Sequence, residues 1–185
     1  MLRWTIGDSA FFAGVRNYIN DSNLTYGFAH TIDLKHHMEL SANRNLDEFF
    51  NDWIFGKGFP LFNILWTQSG SNFQLTINQT PSDTSVAFFN IALPFKLIGP
   101  SIDTIIVVNP SFSGQVFNLN IPQTIQQIEF DPENWILSMQ NILTSIDHLS
   151  VLEESVKLYP NPTKNKLYID LPKEIKLVRI KLFSS

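Results

Sequence analysis

The sequence lacks cysteine, an excess of positive charge and any long apolar run. With no Cys among its 185 residues, disulfides, thiol catalysis and thiolate metal sites are excluded. A net charge of −4 gives no basic field for nucleic acid and no polybasic run for an anionic membrane surface. The apolar runs are too short to span a bilayer, so no transmembrane segment is predicted.

Aromatic residues are abundant instead. The chain has 16 Phe and 4 Trp, with 44% hydrophobic and 16% charged residues, which indicates an aromatic-rich packed core. The N-terminus has no charged leader followed by an apolar core, so it does not read as a signal peptide. Because a helical pattern begins directly at Met1, we expect Met1 to be an internal methionine of a longer protein.

Residues 1–57 carry helical periodicity. Asp8 or Ser9 can cap a first long helix over 8–20, and Thr31 can cap a second, with Asp33 in its first turn. The apolar stripe of the first helix is Phe11, Phe12, Val15, Tyr18 and Ile19.

A third helix is predicted over 46–55. Asn45 and Glu48 form a capping-box variant at its start, and Gly56 suits a left-handed position after its end, with Pro60 preventing resumption. Its residues follow the spacing of a buried helix face. They are Leu46, Phe49, Phe50, Trp53 and Ile54.

After Pro60 the apolar period changes from 3.6 to 2, which predicts strands. Phe73, Leu75 and Ile77 alternate with polar residues, and prolines fall between the strand candidates, where a missing N–H does no harm. About seven short strands at this spacing predict an antiparallel β-sandwich over 58–133. Besides the strands around Ile64 and Leu75, the candidates are Val86–Leu93, Phe95–Ile98, Thr104–Val108, Val116–Ile121 and Ile125–Phe130.

The rest of the chain divides into two further segments. Residues 134–153 read as a linker or a short helix, and residues 154–185 as a partial small β module with strands near 167–171 and 175–183. The predicted fold class is therefore α+β and multidomain, with a helical segment at 1–57, the sandwich at 58–133, the linker and the partial module.

Few residues suggest chemistry. A zinc peptidase helix needs two His four residues apart, but Leu40 and Ser41 occupy the positions that would partner His36 and His37. His30 and His37 are seven residues apart, about 10 Å along a helix, so they cannot share a metal ion. We therefore interpret the stretch from His36 to Glu39 as a polar helix face, not as a small enzyme site.

Other constellations have simpler explanations. Asp47, Glu48 and Asp52 cluster on one predicted helix, where capping and solvation account for them, and no nucleophile elbow or phosphate-binding loop occurs. His148 is isolated. The aromatic excess suggests core packing more than a carbohydrate platform, because the strand aromatics mostly alternate inward. No catalytic residue and no metal ligand is predicted in this chain.

A set of residues spread over 1–140 carries a family resemblance. The spacing of its Phe-Phe, Trp, Gly, Gly and Pro is fairly specific. The residues are Met1, Leu2, Arg3, Gly7, Asp8, Phe11, Arg16, Tyr18, Leu46, Asp47, Glu48, Phe49, Phe50, Trp53, Gly56, Gly58, Pro60, Ile64, Trp66, Gln79, Phe130, Asp131 and Pro132. Together they resemble the part of peptidase family M1, the alanyl-aminopeptidase type, that follows the active site.

The resemblance implies a parent enzyme and a supporting role. In that family the helices close the C-terminal lobe of a thermolysin-like domain, and the sandwich is the next domain. The HExxH zinc helix, the downstream Glu ligand and the catalytic Tyr precede this stretch and have no counterpart here. The resemblance thus implies a zinc metallopeptidase as parent and a missing N-terminal catalytic lobe as partner. We expect no cofactor in this chain, zinc in the parent, and no hydrolysis by the chain alone.

A second motif lies near the C-terminus. Tyr159, Pro160, Asn161, Pro162 and Thr163 form a Y-P-N-P-T core. It resembles the start of the C-terminal sorting domain read by the type IX secretion system. The resemblance implies the type IX machinery as a partner and a secreted or cell-surface location. Because such modules usually continue further, we expect truncation at both ends of the chain.

Two functions follow as hypotheses. The first is a non-catalytic C-terminal fragment of an M1-type aminopeptidase that supplies structural support and an export tag. It predicts an exposed apolar face on the helices at 8–20 and 46–55, where the catalytic lobe packs. The alternative is a secreted, non-enzymatic β-sandwich module for binding or adhesion, which a surface cleft with two or more outward aromatics favours.

Overall fold

A computed structural model describes residues 1–145, 157–159 and 168–170. The chain forms two compact units, Met1–Thr144 and Ser145–Ser185. The first unit holds helices and antiparallel sheets, which confirms the α+β class. The helical segment and the sandwich, predicted as separate at 1–57 and 58–133, both lie within this unit.

The first unit opens with helices. They are α1 (Leu2–Ile6), α2 (Asp8–Ile19), α3 (Thr31–Ala42), α4 (Asp47–Phe50) and a π-helical turn (Asn51–Phe55) that continues α4. Gly7, at φ 80°, separates α1 from α2, and Asn43, at φ 48°, ends α3 in the left-handed conformation. A helical cluster of buried side chains fills the space between them: Met38, Leu46, Phe49 and Phe50.

The helix starts differ from the predicted caps. The position before α2 is Gly7, and Asp8 instead binds the Arg3 guanidinium through both carboxylate oxygens, at 2.8 and 2.7 Å. The position before α3 is His30, whose N–H donates to the Asp33 carboxylate at 2.7 Å. The Asp8 side chain is therefore engaged by Arg3 of α1. The start of α3 is capped by Asp33, which accepts from the His30 backbone.

The capping box predicted at Asn45 and Glu48 is wrong. Asn45 Oδ1 accepts the N–H of Asp47 at 2.8 Å, but the Glu48 carboxylate faces Asn90 instead of turning back to the Asn45 backbone. Glu39 of α3 accepts the N–H of Leu46 at 2.8 Å and so supplies the missing acceptor from another helix.

Seven strands follow in two sheets. They are β1 (Pro60–Ser69), β2 (Asn72–Pro81), β3 (Leu93–Gly99), β4 (Ile102–Val108), β5 (Gln115–Asn120), β6 (Gln127–Phe130) and β7 (Met139–Ser145). One sheet has the order β5-β2-β1-β7 and the other the order β4-β3-β6. The pairs β1–β2, β2–β5, β3–β4 and β3–β6 are antiparallel.

The inward residues of both sheets form one hydrophobic core. Phe62, Phe73 and Phe95 are buried in it together with Leu75 and Ile77. The rings of Phe62 on β1 and Phe130 on β6 lie 5.3 Å apart, so side chains of the two sheets meet directly. The aromatic strand residues therefore pack inward, as the alternation predicts.

Residues 86–92 are not a strand, contrary to the predicted strand Val86–Leu93. The segment is irregular up to Ala92, and β3 begins at Leu93. The buried Gln79 amide replaces a neighbouring strand here: its Oε1 accepts the N–H of Phe89 at 2.7 Å, and its Nε2 donates to the Phe89 carbonyl at 3.0 Å. The backbone of Phe89 is thus satisfied without a ladder.

The prediction of a linker or short helix at 134–153 is wrong for Met139–Ser145. These residues form β7 beside β1. The second unit contains the antiparallel pair β8 (Lys157–Tyr159) and β9 (Tyr168–Asp170), near the predicted strand at 167–171. Of the sorting motif, Pro160, Asn161, Pro162 and Thr163 lie outside the described residues, as does the strand predicted at 175–183.

Candidate functional site

The most specifically spaced residues of the sequence, from Phe49 to Pro60, lie where the helices meet the sandwich. Phe49 and Phe50 on α4 are buried in the helical cluster. Trp53, on the π-helical turn, contacts both this cluster and the sandwich core, and its ring lies 6.4 Å from that of Phe49 and 4.7 Å from that of Phe89. Trp53 therefore joins the two halves of the first unit.

The two glycines of the motif have different roles. Gly56 has φ −74° and extended ψ, so the predicted left-handed conformation is wrong. A Cβ there would lie 2.5 Å from Val86 Cγ2 and 2.7 Å from the Asp52 carbonyl oxygen, so close packing requires glycine. Gly58 carries the positive φ, 87°, and Pro60 begins β1 with its partner Pro81 on β2.

The connection between the helices and β1 is held by the segment before β3. The N–H of Lys57 donates to Ser85 Oγ at 2.8 Å, and that hydroxyl donates back to the Lys57 carbonyl at 3.1 Å. The N–H of Phe59 donates to Ser82 Oγ at 2.9 Å. These bonds fix the direction in which the chain enters the sandwich.

Apolar side chains stay exposed on both helical stretches where the sequence predicts an apolar face. On α2, Phe12 is 43% and Ile19 is 66% exposed. On the π-helical turn, Ile54 is 51% and Phe55 is 59% exposed. Of the predicted apolar faces, Phe12, Ile19 and Ile54 are therefore exposed, whereas Leu46, Phe49 and Phe50 are buried in the helical cluster.

The sequence reasoning missed a further exposed aromatic and aliphatic group. Ile32 and Leu40 on α3 and the loop residues Tyr26 and Phe28 are exposed, Tyr26 completely and at φ 61°. Bulky residues rarely adopt a positive φ. The spacing of Ile32 and Leu40, which are about two helical turns apart, could have predicted the α3 part of this group. It places apolar residues on the face opposite buried Met38.

The histidines of α3 make structural contacts. His37 Nε2 lies 3.1 Å from the Asp21 carboxylate, which also accepts the N–H of Asn23 at 2.8 Å. Hydrogen bonds from Asn23 and His37 lower the pKa of Asp21. Glu39 faces Lys35 and the Leu46 backbone. His37 thus anchors the loop that follows α2.

No set of metal ligands is found in the part of the chain that the structure describes. Within it, no three His, Asp or Glu side chains group as a metal ion requires. These residues therefore do not fit a zinc site. His148 lies outside the described ranges. The described ranges also contain no helix long and apolar enough to cross a bilayer.

Of the three carboxylates predicted on one helix, Asp47 faces Lys35, whereas Glu48 and Asp52 both face Asn90. Asp47 binds the Lys35 ammonium, and this hydrogen bond lowers the pKa of the Asp47 carboxyl. Asp52 differs, because partial burial raises its pKa, the Asn90 N–H opposes that rise, and the Glu48 charge adds to it. Glu48 accepts from the Asn90 amide at 3.2 and 3.3 Å.

Helices packed on an antiparallel sandwich and joined to it at Trp53 define an α+β unit with exposed apolar side chains on its helices. No protein-family model and no curated protein matches the chain. Among solved structures it is similar to Legionella pneumophila aminopeptidase A in complex with aspartic acid, at a TM-score of 0.52 and 16% sequence identity. The match covers 68% of this chain and 14% of that chain, so the common fold is a small part of an aminopeptidase.

Proposed function

We propose that the chain is the non-catalytic C-terminal part of a secreted, zinc-dependent aminopeptidase of the M1 type. The observation that carries this proposal is the fold, which matches 14% of the length of an aminopeptidase. The exposed apolar residues Phe12, Ile19, Ile54 and Phe55 support it, because they offer a surface on which a catalytic lobe packs.

In this proposal the chain braces a hydrolytic centre carried by the preceding lobe. Zinc in that lobe would activate a water for attack on the peptide carbonyl. The residues of this chain contribute packing: Trp53 and Phe49 hold the helices on the sandwich, and the exposed helical side chains seat the lobe. The chain alone is then inactive toward aminoacyl anilides.

The test joins the chain to its proposed partner. The genomic DNA before the Met1 codon is read for an in-frame segment encoding HExxH, and that segment is co-expressed with the chain. We expect co-purification and anilide hydrolysis, and we expect the I19K/I54K variant to lose both. V116K is the control for adding a lysine at an exposed apolar position, because Val116 is apolar and is 46% exposed on β5 of the sandwich.

Two results contradict this proposal. One is stoichiometric zinc together with anilide hydrolysis in the purified 185-residue chain. The other is an upstream region with a stop codon and a promoter and no in-frame HExxH segment.

We further propose that Tyr159, Pro160, Asn161, Pro162 and Thr163 act as part of an export tag read by the type IX machinery. The support is the sequence motif. In a host with that system, replacing Pro160 and Asn161 by Ala in the full-length parent is expected to move the protein from the medium or cell surface to the cell interior. Unchanged export contradicts this part of the proposal.

A cleft lined by two tryptophans favours the alternative, a secreted β-sandwich binding module. Trp4 and Trp135 stack at 5.8 Å and line a cavity of about 50 Å³ with Pro94 and Ile105. Both indole N–H groups are occupied, by the Ala92 carbonyl and by Glu133. Saturable quenching of tryptophan fluorescence by oligosaccharides, abolished by W135A, would support the binding-module hypothesis over the aminopeptidase-fragment hypothesis.

A further inference from the structure

A small cleft lies between the helices and the sandwich within the first unit. Its volume is about 170 Å³. The segment between α3 and α4 and α4 itself supply Arg44 and Glu48, and the segments flanking β3 and β4 supply Ile91 and Asn109. Sites for drug-sized ligands are roughly 300–1,000 Å³, so this cleft has room for a single small molecule.

Opposite charges line this cleft without pairing with each other. Among the described residues, Arg44 makes no ion pair, and its Nη1 donates one hydrogen bond, to the Thr5 carbonyl oxygen at 3.2 Å. A guanidinium has five N–H donors, so several are left for a ligand. The Thr5 contact holds the Arg44 side chain at the cleft.

The acidic side of the cleft also has unused capacity. Glu48 accepts from the Asn90 amide over 3.2 and 3.3 Å, both long contacts, and a carboxylate offers about four acceptor sites. The Asn109 side chain has no hydrogen-bond partner within the described part of the chain and presents both a donor and an acceptor. A ligand ammonium therefore finds an acceptor at Glu48.

Apolar side chains complete the cleft. Leu46, Phe49 and Ile91 line it and are themselves buried. A ligand that pairs with both charges and contacts the apolar side chains needs an anion for Arg44, a cation for Glu48 and a short apolar part. A free α-amino acid in its zwitterionic form has these three parts.

We propose that this cleft binds a free, apolar α-amino acid. Its carboxylate binds Arg44, its ammonium binds Glu48, and its side chain lies against Leu46, Phe49 and Ile91. Hydrogen bonds between charged groups are the strong ones and set the selectivity. The proposal concerns residues of this chain and does not depend on the aminopeptidase proposal.

The experiment titrates L-leucine into the ¹⁵N-labelled 185-residue chain and follows the amide signals of Asn45, Leu46, Asn90 and Ile91. Leucinamide, which lacks the carboxylate, and N-acetyl-leucine, which lacks the ammonium, are titrated in parallel. We expect saturable shifts with leucine. Each analogue is expected to bind about tenfold or more weakly, since it loses one charged contact.

Variants assign each charge to its residue. R44Q is expected to weaken leucine about tenfold and to leave leucinamide binding unchanged, whereas E48Q leaves N-acetyl-leucine binding unchanged. R16Q is the matched control, because Arg16 is exposed on α2 away from the cleft, and it is expected to bind like the unmodified chain. Should R44Q or E48Q fail to fold, N109A reports from the sandwich side and is expected to weaken leucine binding.

Two outcomes overturn the proposal. The first is the absence of saturable shifts with leucine up to its solubility limit. The second is equal affinity for leucine, leucinamide and N-acetyl-leucine, because the cleft then recognises neither charge.

Discussion

Gly56 is a residue whose replacement tests the packing at the junction directly. A methyl group there meets Val86 Cγ2 at 2.5 Å and two backbone carbonyl oxygens, of Asp52 and Asn51, at 2.7 and 2.8 Å. We expect G56A to lower the free energy of unfolding by about 1–3 kcal/mol through overpacking. Urea denaturation measures it.

The control for this substitution is G27A. A Cβ at Gly27 lies 3.6 Å from the nearest atom, the Leu24 carbonyl oxygen, which is an ordinary contact. G27A is expected to be neutral or slightly stabilising. Equal stability losses in the two variants would contradict the assigned role of Gly56.

Asp52 gives a pH prediction at the same scale. Burial raises its pKa in the folded chain above 3.8. The folded state then favours the neutral carboxyl, so the stability it provides is present at low pH and falls as pH rises through the folded pKa. D52N removes this loss, and its stability relative to the unmodified chain should increase from about pH 3.8 upward and then level off.

Asp21 is expected to show the opposite sign. Its pKa is lowered, first by the Asn23 N–H, so its contribution is present at neutral pH and is lost as pH falls through the folded pKa. D21N should therefore be less stable than the unmodified chain at neutral pH, and the difference should shrink in acid. Thermal melts over pH 3–7 measure the stability of both variants relative to the unmodified chain. If this difference changed with pH in the same direction for D52N and D21N, the opposite pKa shifts assigned to Asp52 and Asp21 would be refuted.

Helix α3 allows a comparison within one element. Met38 is 1% exposed and packs in the helical cluster, whereas Leu40, two residues on, is 64% exposed. M38A is expected to cost about 2–5 kcal/mol, because it leaves a cavity. L40A is expected to change stability by less than about 0.5 kcal/mol. Similar losses in the two variants would mean that the exposed face of α3 is packed in solution.

At the scale of elements, local periodicity predicted the long helices and the first two strands. Phe73, Leu75 and Ile77 alternate strictly, and Phe49, Phe50 and Trp53 follow helical spacing, so neighbours in sequence determine these elements. Residues 86–92 have an apolar content typical of a strand, yet Gln79 satisfies their backbone from another element. No local pattern encodes that contact.

The position of β7 and the composition of the cleft also depend on contacts between residues far apart in sequence, which local periodicity does not predict. β7 contains adjacent Ile142 and Leu143 and no clear alternation, and it lies beside β1, which is about 75 residues earlier. The cleft combines Arg44 and Glu48 with Asn109, more than sixty residues apart in sequence. The family resemblance did anticipate exposed apolar residues on α2 and on the stretch at 46–55, because it implies a further lobe that packs on them.

For the whole molecule, the boundary between the units gives a truncation test. A chain ending at Ser145 keeps β7 beside β1, so we expect it to melt within a few degrees of the full chain. A chain ending at Ser138 leaves that edge of β1 uncovered and is expected to melt at least about 4 °C lower. Equal melting temperatures for the two truncations would show that β7 contributes little to the first unit.

The π-helical turn at Asn51–Phe55 constrains how this chain tolerates length changes. A π turn holds about one more residue than an α turn. Because the π turn already absorbs one extra residue, inserting a further residue before Trp53 would shift the phase of everything after it by about 100°. Trp53 would then turn away from Phe89, and Gly56 would no longer meet Val86. Insertions should therefore accumulate in surface loops such as 20–29 and be rare between α4 and β1, even where single substitutions are accepted.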